Sequence, residues 1–283
     1  MIPKAMPESR RVAIPTDLVP SSLARPSGQV HTLGGETMGT SWRVRYVDRF
    51  SREPQLRAAI DDQRAFLAAT RVIPQLDDVE AELTYLALRD HRPDTVMELG
   101  TFQGWSTTWI LRALADNGRG PRPRFAGVGA GLRPVPADLA DNRWTFVAGD
   151  VAANLAAVPP DVGYLFVDAD HGRRFARWYL AHLFPLVAAG TPVSVHDVFH
   201  LRWARPWSEG TEVLRWLAEH DTAWFTTARR HAPATLAALD EVRAELGITG
   251  ARGTTVNPMI FFSLPSATAD RTSGTAPRRR GTR

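Results

Sequence analysis

The sequence predicts a doubly wound α/β fold, on three observations. From Thr95 onward, short runs rich in β-branched and aromatic residues alternate with segments of helical periodicity. The runs lack polar alternation, as VGYLFV at 162–167 shows, which marks strands covered on both faces of a parallel sheet. The first of them, TVMEL, passes into a loop carrying Gly100 and Gly104 and then into a helical pattern, the strand–turn–helix arrangement at which such sheets meet their ligands.

Residues 1–30 are rich in Pro, Ser and Arg without periodicity and read as a disordered tail, as do residues 267–283 with their run Arg278–Arg280. Between the tails, the alternation of Trp42, Val44 and Tyr46 predicts a strand, and Leu56, Ile60 and Leu67 predict a helix after it. Leu76, Val79, Leu83 and Leu86 predict a second helix, separated from the first by Pro74. Strands are expected in TVMEL (95–99), RFAGVG (124–129), WTFVAG (144–149), VGYLFVD (162–168) and TPVSVHD (191–197), with helices near 104–117 and 172–188. Beyond Asp197 the pattern predicts a helix at 211–220, a strand in AWFTTA, a helix at 234–246 and a last strand in NPMIFFSL. No internal repeat is present.

Composition bounds the function. The 283 residues are 44% hydrophobic and 23% charged, ordinary for one large globular domain with an appendage. Without cysteine there is no disulfide, thiolate zinc site or cysteine nucleophile, and the cytoplasm is the expected location. No apolar segment follows the basic start, and no run reaches the roughly 18 apolar residues of a membrane span, so no membrane partner is expected. The net charge of +4 comes from dispersed arginines, Lys4 being the single lysine, and no nucleic-acid partner is expected.

Gly100 and Gly104 let the backbone approach a ligand closely, and the helix start beyond them offers free N–H donors. The spacing from Glu98 to Ser106 is E-x-G-x-x-x-G-x-S, not G-x-G-x-x-G, so a dinucleotide pyrophosphate is not the natural ligand. A purely structural strand-to-helix turn is the competing explanation. Asp168 and His171 have the same two readings, as site residues or as caps of the next helix, whereas His182 falls within an amphipathic helix and reads as structural. Trp203, Trp207 and Trp216 read as core or as a cover for an apolar substrate.

The stretch VMELGTFQGWST (96–107) resembles motif I of the class I S-adenosylmethionine-dependent methyltransferases, and LFVDADHGRRFARWYLAHLFPLVAAGTPVSVHDVF (165–199) resembles their fourth strand, following helix and fifth strand. The likeness spans about 95–265. Its nearest flavour is the small-molecule O-methyltransferases, including the group related to macrocin and caffeoyl-coenzyme A methyltransferases, whose strand-end aspartates hold a divalent metal. The resemblance implies a Rossmann-like methyltransferase sheet over 64–266 with an N-terminal helical and strand extension, S-adenosylmethionine as cofactor, Mg²⁺ as candidate metal and a small-molecule substrate. Carried over by position, Glu98, Gly100, Gly104 and Ser106 would line the methionine and ribose of the cofactor, and Asp150 would lie beside adenine. Asp168, Asp170 and Asp197 would hold the metal. Asp168 and His171 would be catalytic, with His171 as general base where the coenzyme A-linked group has lysine.

The sequence departs from that pattern at two places. Gly129 and Ala130 stand where the second strand should end in a ribose-binding carboxylate. Val198 stands where an Asn often follows the second metal aspartate, leaving His196 or His200 to replace it. A second resemblance, HTLGGETMGTSWRVRYV with PQLRAAIDDQ, links residues 31–63 to the amino-terminal strand of the ApbE-type flavin transferases, without that family's later flavin and magnesium segments. Three functions follow: a methyltransferase acting on an oxygen of a small molecule, a non-catalytic methyltransferase-like binding protein, or a remnant of an FAD-dependent FMN transferase. The oligomeric state stays open, a homodimer among the options.

Overall fold

A computed structural model describes residues 32–33, 36–118, 124–129, 135–140, 143–199, 206–249 and 259–266. The terminal tails expected at 1–30 and 267–283, and Ala130, His200 and Trp203, lie outside them. A short antiparallel pair, β1 (Thr32–Leu33) and β2 (Glu36–Thr37), precedes helices α1 (Met38–Arg52), α2 (Leu56–Ala69) and α3 (Asp78–His91). The sheet then begins with β3 (Thr95–Leu99), followed by α4 (Trp105–Asp116), β4 (Arg124–Gly129), α5 (Ala137–Ala140) and β5 (Trp144–Ala148). After a 3-10 segment come β6 (Tyr164–Val167), α6 (Arg173–His182), β7 (Pro192–Val195), α7 (Glu209–Glu219), β8 (Trp224–Thr226), α8 (Pro233–Glu245) and β9 (Ile260–Ser263).

The seven sheet strands run in the order β5-β4-β3-β6-β7-β9-β8. Strands β5, β4, β3, β6 and β7 are parallel, and β9 is antiparallel to both neighbours, β7 and β8. The chain starts at β3 in the middle, winds outward through β4 and β5, then crosses to β6 and β7. This is the doubly wound, Rossmann-like sheet, and its switch point lies between the carboxyl ends of β3 and β6.

Alternation along the strands distributes the core. Val96, Tyr164, Phe166 and Phe261 face one layer with α1 to α4 and α8. Met97, Leu99, Leu165, Val167, Ile260 and Phe262 face the other, with α6 and α7. Glu98, sharing the face of Val96, therefore points at α4, and this placement matters for the site.

Residues 38–52 correct the sequence expectation. The alternation of Trp42, Val44 and Tyr46 predicts a strand, yet α1 is a helix. Tyr46 and Phe50, four residues apart, are buried on one helical face, where Tyr46 stacks on Phe225 at 5.2 Å. A short run of spaced apolar residues satisfies both periods, and packing against β8, β9 and α8 selects the helical one. With the strand goes the basis for the flavin-transferase likeness over 31–63, which no comparison supports. Packing also shows no break near residue 63: α1 and α2 share a core with α3 and α4, and Thr108 Oγ1 of α4 donates to Gln63 Oε1 at 2.9 Å.

Candidate active site

The bare turn after β3 is built from beneath. Glu98 is fully buried, and each of its oxygens accepts from a hydroxyl of the first turn of α4, Ser106 at 2.6 Å and Thr107 at 2.7 Å. Burial pushes its carboxyl up to about 8 despite those two donors. Glu98 thus ties the turn to α4 from the buried side.

The two glycines do different jobs. Gly100, at φ +86°, has no room for a side chain, because a Cβ would overlap the carbonyl oxygen of Asp168. The ends of β3 and β6 approach there, with Asp168 N donating to Leu99 O at 2.8 Å. Gly104, at φ +83°, is the residue before α4, and a Cβ on it would meet only Val135 Cγ2 at 3.7 Å. No side chain caps α4, so its positive end opens outward. A cleft lies over the turn, lined by Ile73, Gln75, Thr101, Gln103, Ser106 and Asp168 among others. Gln103 Oε1 accepts from Ile73 N at 2.7 Å and holds the covering loop.

Across the switch point, β6 and β7 deliver the acidic side. Asp168 follows β6 and His196 and Asp197 follow β7, while His171 precedes α6. His171 Nε2 lies 3.0 Å from Asp197 Oδ2 and 3.7 Å from Asp168 Oδ1, and its Nδ1 lies 3.0 Å from Glu209 Oε2. His196 Nδ1 lies 3.2 Å from Asp168 Oδ1. Its Nε2 lies 3.4 Å from Glu80 Oε2, close enough for attraction but not aligned as a hydrogen bond. Asp197 takes the left-handed region at φ +56°, a strained conformation that Asp tolerates better than most residues. Its Oδ1 is buried without a hydrogen bond.

The electrostatics follow. Burial works to raise the Asp168 carboxyl, but His196 and then His171 outweigh it and hold it below the ordinary carboxylate range. Burial works against charge on both imidazoles, yet Glu209, Asp197 and Asp168 raise His171, and Asp168 and Glu80 raise His196 well above the usual value. Burial pushes Glu209 up, partly offset by His171 and Tyr179 as donors.

The structure brings Asp168, His171 and Asp197 together, with ligand atoms all within 4.8 Å of one another. It does not bring Asp170 to them: that side chain is exposed and accepts from Gly172 N at 2.6 Å, closing the turn before α6. Asp150, at the end of β5, is exposed and accepts from Ala152 N at 2.9 Å. Gly129 ends β4 beside Ala148, so β4 ends without a carboxylate. Glu80, Glu209 and Tyr179 join the site without any sequence signal. Glu80 is the third residue of the capping box with Asp77 that starts α3, and Glu209 lies in the first turn of α7.

Residues 97–198 match the family model of a methyltransferase domain. The matched stretch runs from β3 to just beyond Asp197 and so contains both sides of the site. No curated protein matches the sequence. Among solved structures, the cofactor-bound Rv0187 from MTB is 18% identical over 76% of this chain and 91% of its own, with a TM-score of 0.45. An O-methyltransferase from Bacillus cereus in complex with SAH is 14% identical over 74% and 90%, with a TM-score of 0.46. The O-methyltransferase TomG from Streptomyces achromogenes, involved in tomaymycin synthesis and in complex with SAM, is 17% identical over 82% and 100%, with a TM-score of 0.38.

Proposed function

We propose that the protein methylates an oxygen of a small molecule, with S-adenosylmethionine as methyl donor. One observation carries this: the start of α4 behind Gly104 shares a cleft with Asp168, which belongs to the Asp168–His171–Asp197 cluster, and residues 97–198 match a methyltransferase domain. The cofactor's carboxylate suits the positive end of α4, and the missing Cβ of Gly104 leaves space for close approach. When bound, S-adenosylmethionine supplies a methyl group on a sulfonium, open to attack by oxygen. His171 takes the proton of the acceptor hydroxyl at Nε2, and Asp168 and Asp197 balance the charge that the ring then carries.

Alternatively, Asp168, His171 and Asp197 form a donor set for a divalent cation, with His171 then a ligand rather than the base, and Asp197 Oδ1, 3.5 Å from His196 Nδ1, accepts no hydrogen bond that a cation would have to displace. Such an ion would supply charge that lowers the acceptor hydroxyl's pKa. An imidazole in the set suits Zn²⁺ or Fe²⁺ better than the Mg²⁺ that an all-carboxylate set would take.

The β4 end without a ribose carboxylate supports a second reading, a binding protein that holds methyltransferase-like ligands without turnover. Calorimetric titration with S-adenosylmethionine and S-adenosylhomocysteine, with and without divalent ions, tests both. Saturable binding of either that is lost in Gly104→Val is the expected result; no heat with either ligand under any ion sinks the methyltransferase reading.

A further inference from the structure

Glu209 and Tyr179 are buried polar residues behind His171 that neither the cofactor turn nor the aspartates account for. Glu209 opens α7, and its carboxylate is 1% exposed. Oε2 faces His171 Nδ1 at 3.0 Å, and Oε1 accepts from Tyr179 OH at 2.8 Å, so both oxygens are committed. Its backbone is committed as well: Glu209 N donates to His171 O at 2.9 Å, and Ser208 pairs with Gly172 in an isolated bridge. Gly210 packs so tightly that a Cβ would overlap Val198 O, which locks the start of α7 against the end of β7. The carboxylate is therefore held on a rigid seat, whereas the His171 side chain is 36% exposed.

We propose that Glu209, braced by Tyr179, is a positioning residue that fixes the ring orientation and the Nδ1–H tautomer of His171, leaving the lone pair on Nε2, the nitrogen beside Asp197 and Asp168. The proposal rests on the reading of His171 as the working group of a methyltransferase site. Either task at Nε2, accepting a proton from a hydroxyl or binding a cation, needs a lone pair there. That requires the proton on Nδ1, and a proton on Nδ1 needs an acceptor. Within the described residues, the acceptor facing Nδ1 is Glu209. Without it the proton is free to move to Nε2, where Asp197 accepts it at 3.0 Å, and the nitrogen facing the site becomes a donor.

Full-length protein labelled with ¹⁵N-histidine tests this through long-range ¹H–¹⁵N spectra at high pH, where the ring is neutral, with the His171 signals identified by their loss in His171→Asn. Wild type should show Nδ1–H; Glu209→Met should shift the ring toward Nε2–H; Glu209→Gln, whose amide oxygen still accepts, should keep Nδ1–H. Tyr179→Phe keeps the ring packing but removes one donor to Glu209 and should move the ratio part-way, which provides a readout should Glu209→Met not fold. In a parallel titration with Co²⁺, read by its visible absorption, Glu209→Met should weaken binding by about 10- to 100-fold. An Nε2–H ring in wild type, or a ratio moved by neither substitution in folded protein, overturns the positioning role whatever Co²⁺ does. A tautomer shift without any Co²⁺ binding leaves the positioning role standing and removes the cation from the proposed function.

Discussion

Two imidazoles converge on the same pair of aspartates, each with carboxylates at both ring nitrogens, yet their surroundings differ. His196 is held between Asp168 and Glu80 with a side chain 4% exposed, and Glu80 also accepts from Met259 N at 2.5 Å and from Asp77 N at 3.2 Å, so that one carboxylate joins α3, β7 and β9. His171 sits between Asp197 and Glu209 at 36% exposure, on the side open to an acceptor. The difference in depth makes the buried ring the structural anchor and leaves the half-open ring as the one we propose for chemistry. Equal chemistry in the sequence thus divides by depth, because a buried charge must keep its partner whereas an exposed one is screened by water.

The largest effect expected from this comparison is on His196→Ala. It strands Asp168 and Glu80 without their shared counter-charge and should cost about 3 to 5 kcal/mol of stability, measured by urea unfolding. A loss under ~1 kcal/mol would remove the anchoring role. Next comes Gly100→Ala, in which a side chain meets the Asp168 carbonyl in a left-handed backbone; overpacking and strain together should cost about 2 to 4 kcal/mol. Its counterpart Gly104→Ala has space and pays only for the backbone, about 1 to 2 kcal/mol, so the two glycines should differ clearly in the same melt while Gly104→Val alone blocks the cofactor.

Glu98 sharpens the comparison on the buried side through pH. Its folded pKa of about 8 lies above its ordinary value of 4.5, so the folded state holds a proton that the unfolded chain has released between those values. Stability from this group therefore falls as pH rises from 4.5 toward 8, and Glu98→Gln, which cannot ionise, should improve relative to wild type across that window. Thermal melts of both proteins at pH 5 and pH 8.5 check it; a constant difference would show that Glu98 is not protonated in the fold. His171→Ala should cost about 1 to 3 kcal/mol, less than His196→Ala because its imidazole is 36% exposed, though it leaves the buried Glu209 carboxylate without its partner. That substitution should nevertheless abolish methyl transfer while leaving S-adenosylhomocysteine binding intact in calorimetry, the reverse of the His196→Ala pattern.

The sequence alone determined the strand–turn–helix order, the doubly wound sheet and the strand-end placement of Asp168 and Asp197, since burial on two faces leaves continuous apolar runs and strand ends are local in sequence. It also carried Gly104, whose φ of +83° is a local demand of the turn. Tertiary structure decided the rest. Whether Trp42 to Tyr46 formed helix or strand depended on the surface it met, because its spacing suits both periods. The antiparallel entry of β9 between β7 and β8 is a choice among sheet edges that no strand records in its own residues. Gly100 is required by the Asp168 carbonyl 68 positions onward, and Glu80 and Glu209 reach the histidines from α3 and α7, the remote ends of other elements. Charge pairing acts over a few ångströms of space rather than of chain, so which carboxylate holds which imidazole exists only once the sheet and its flanking helices have packed.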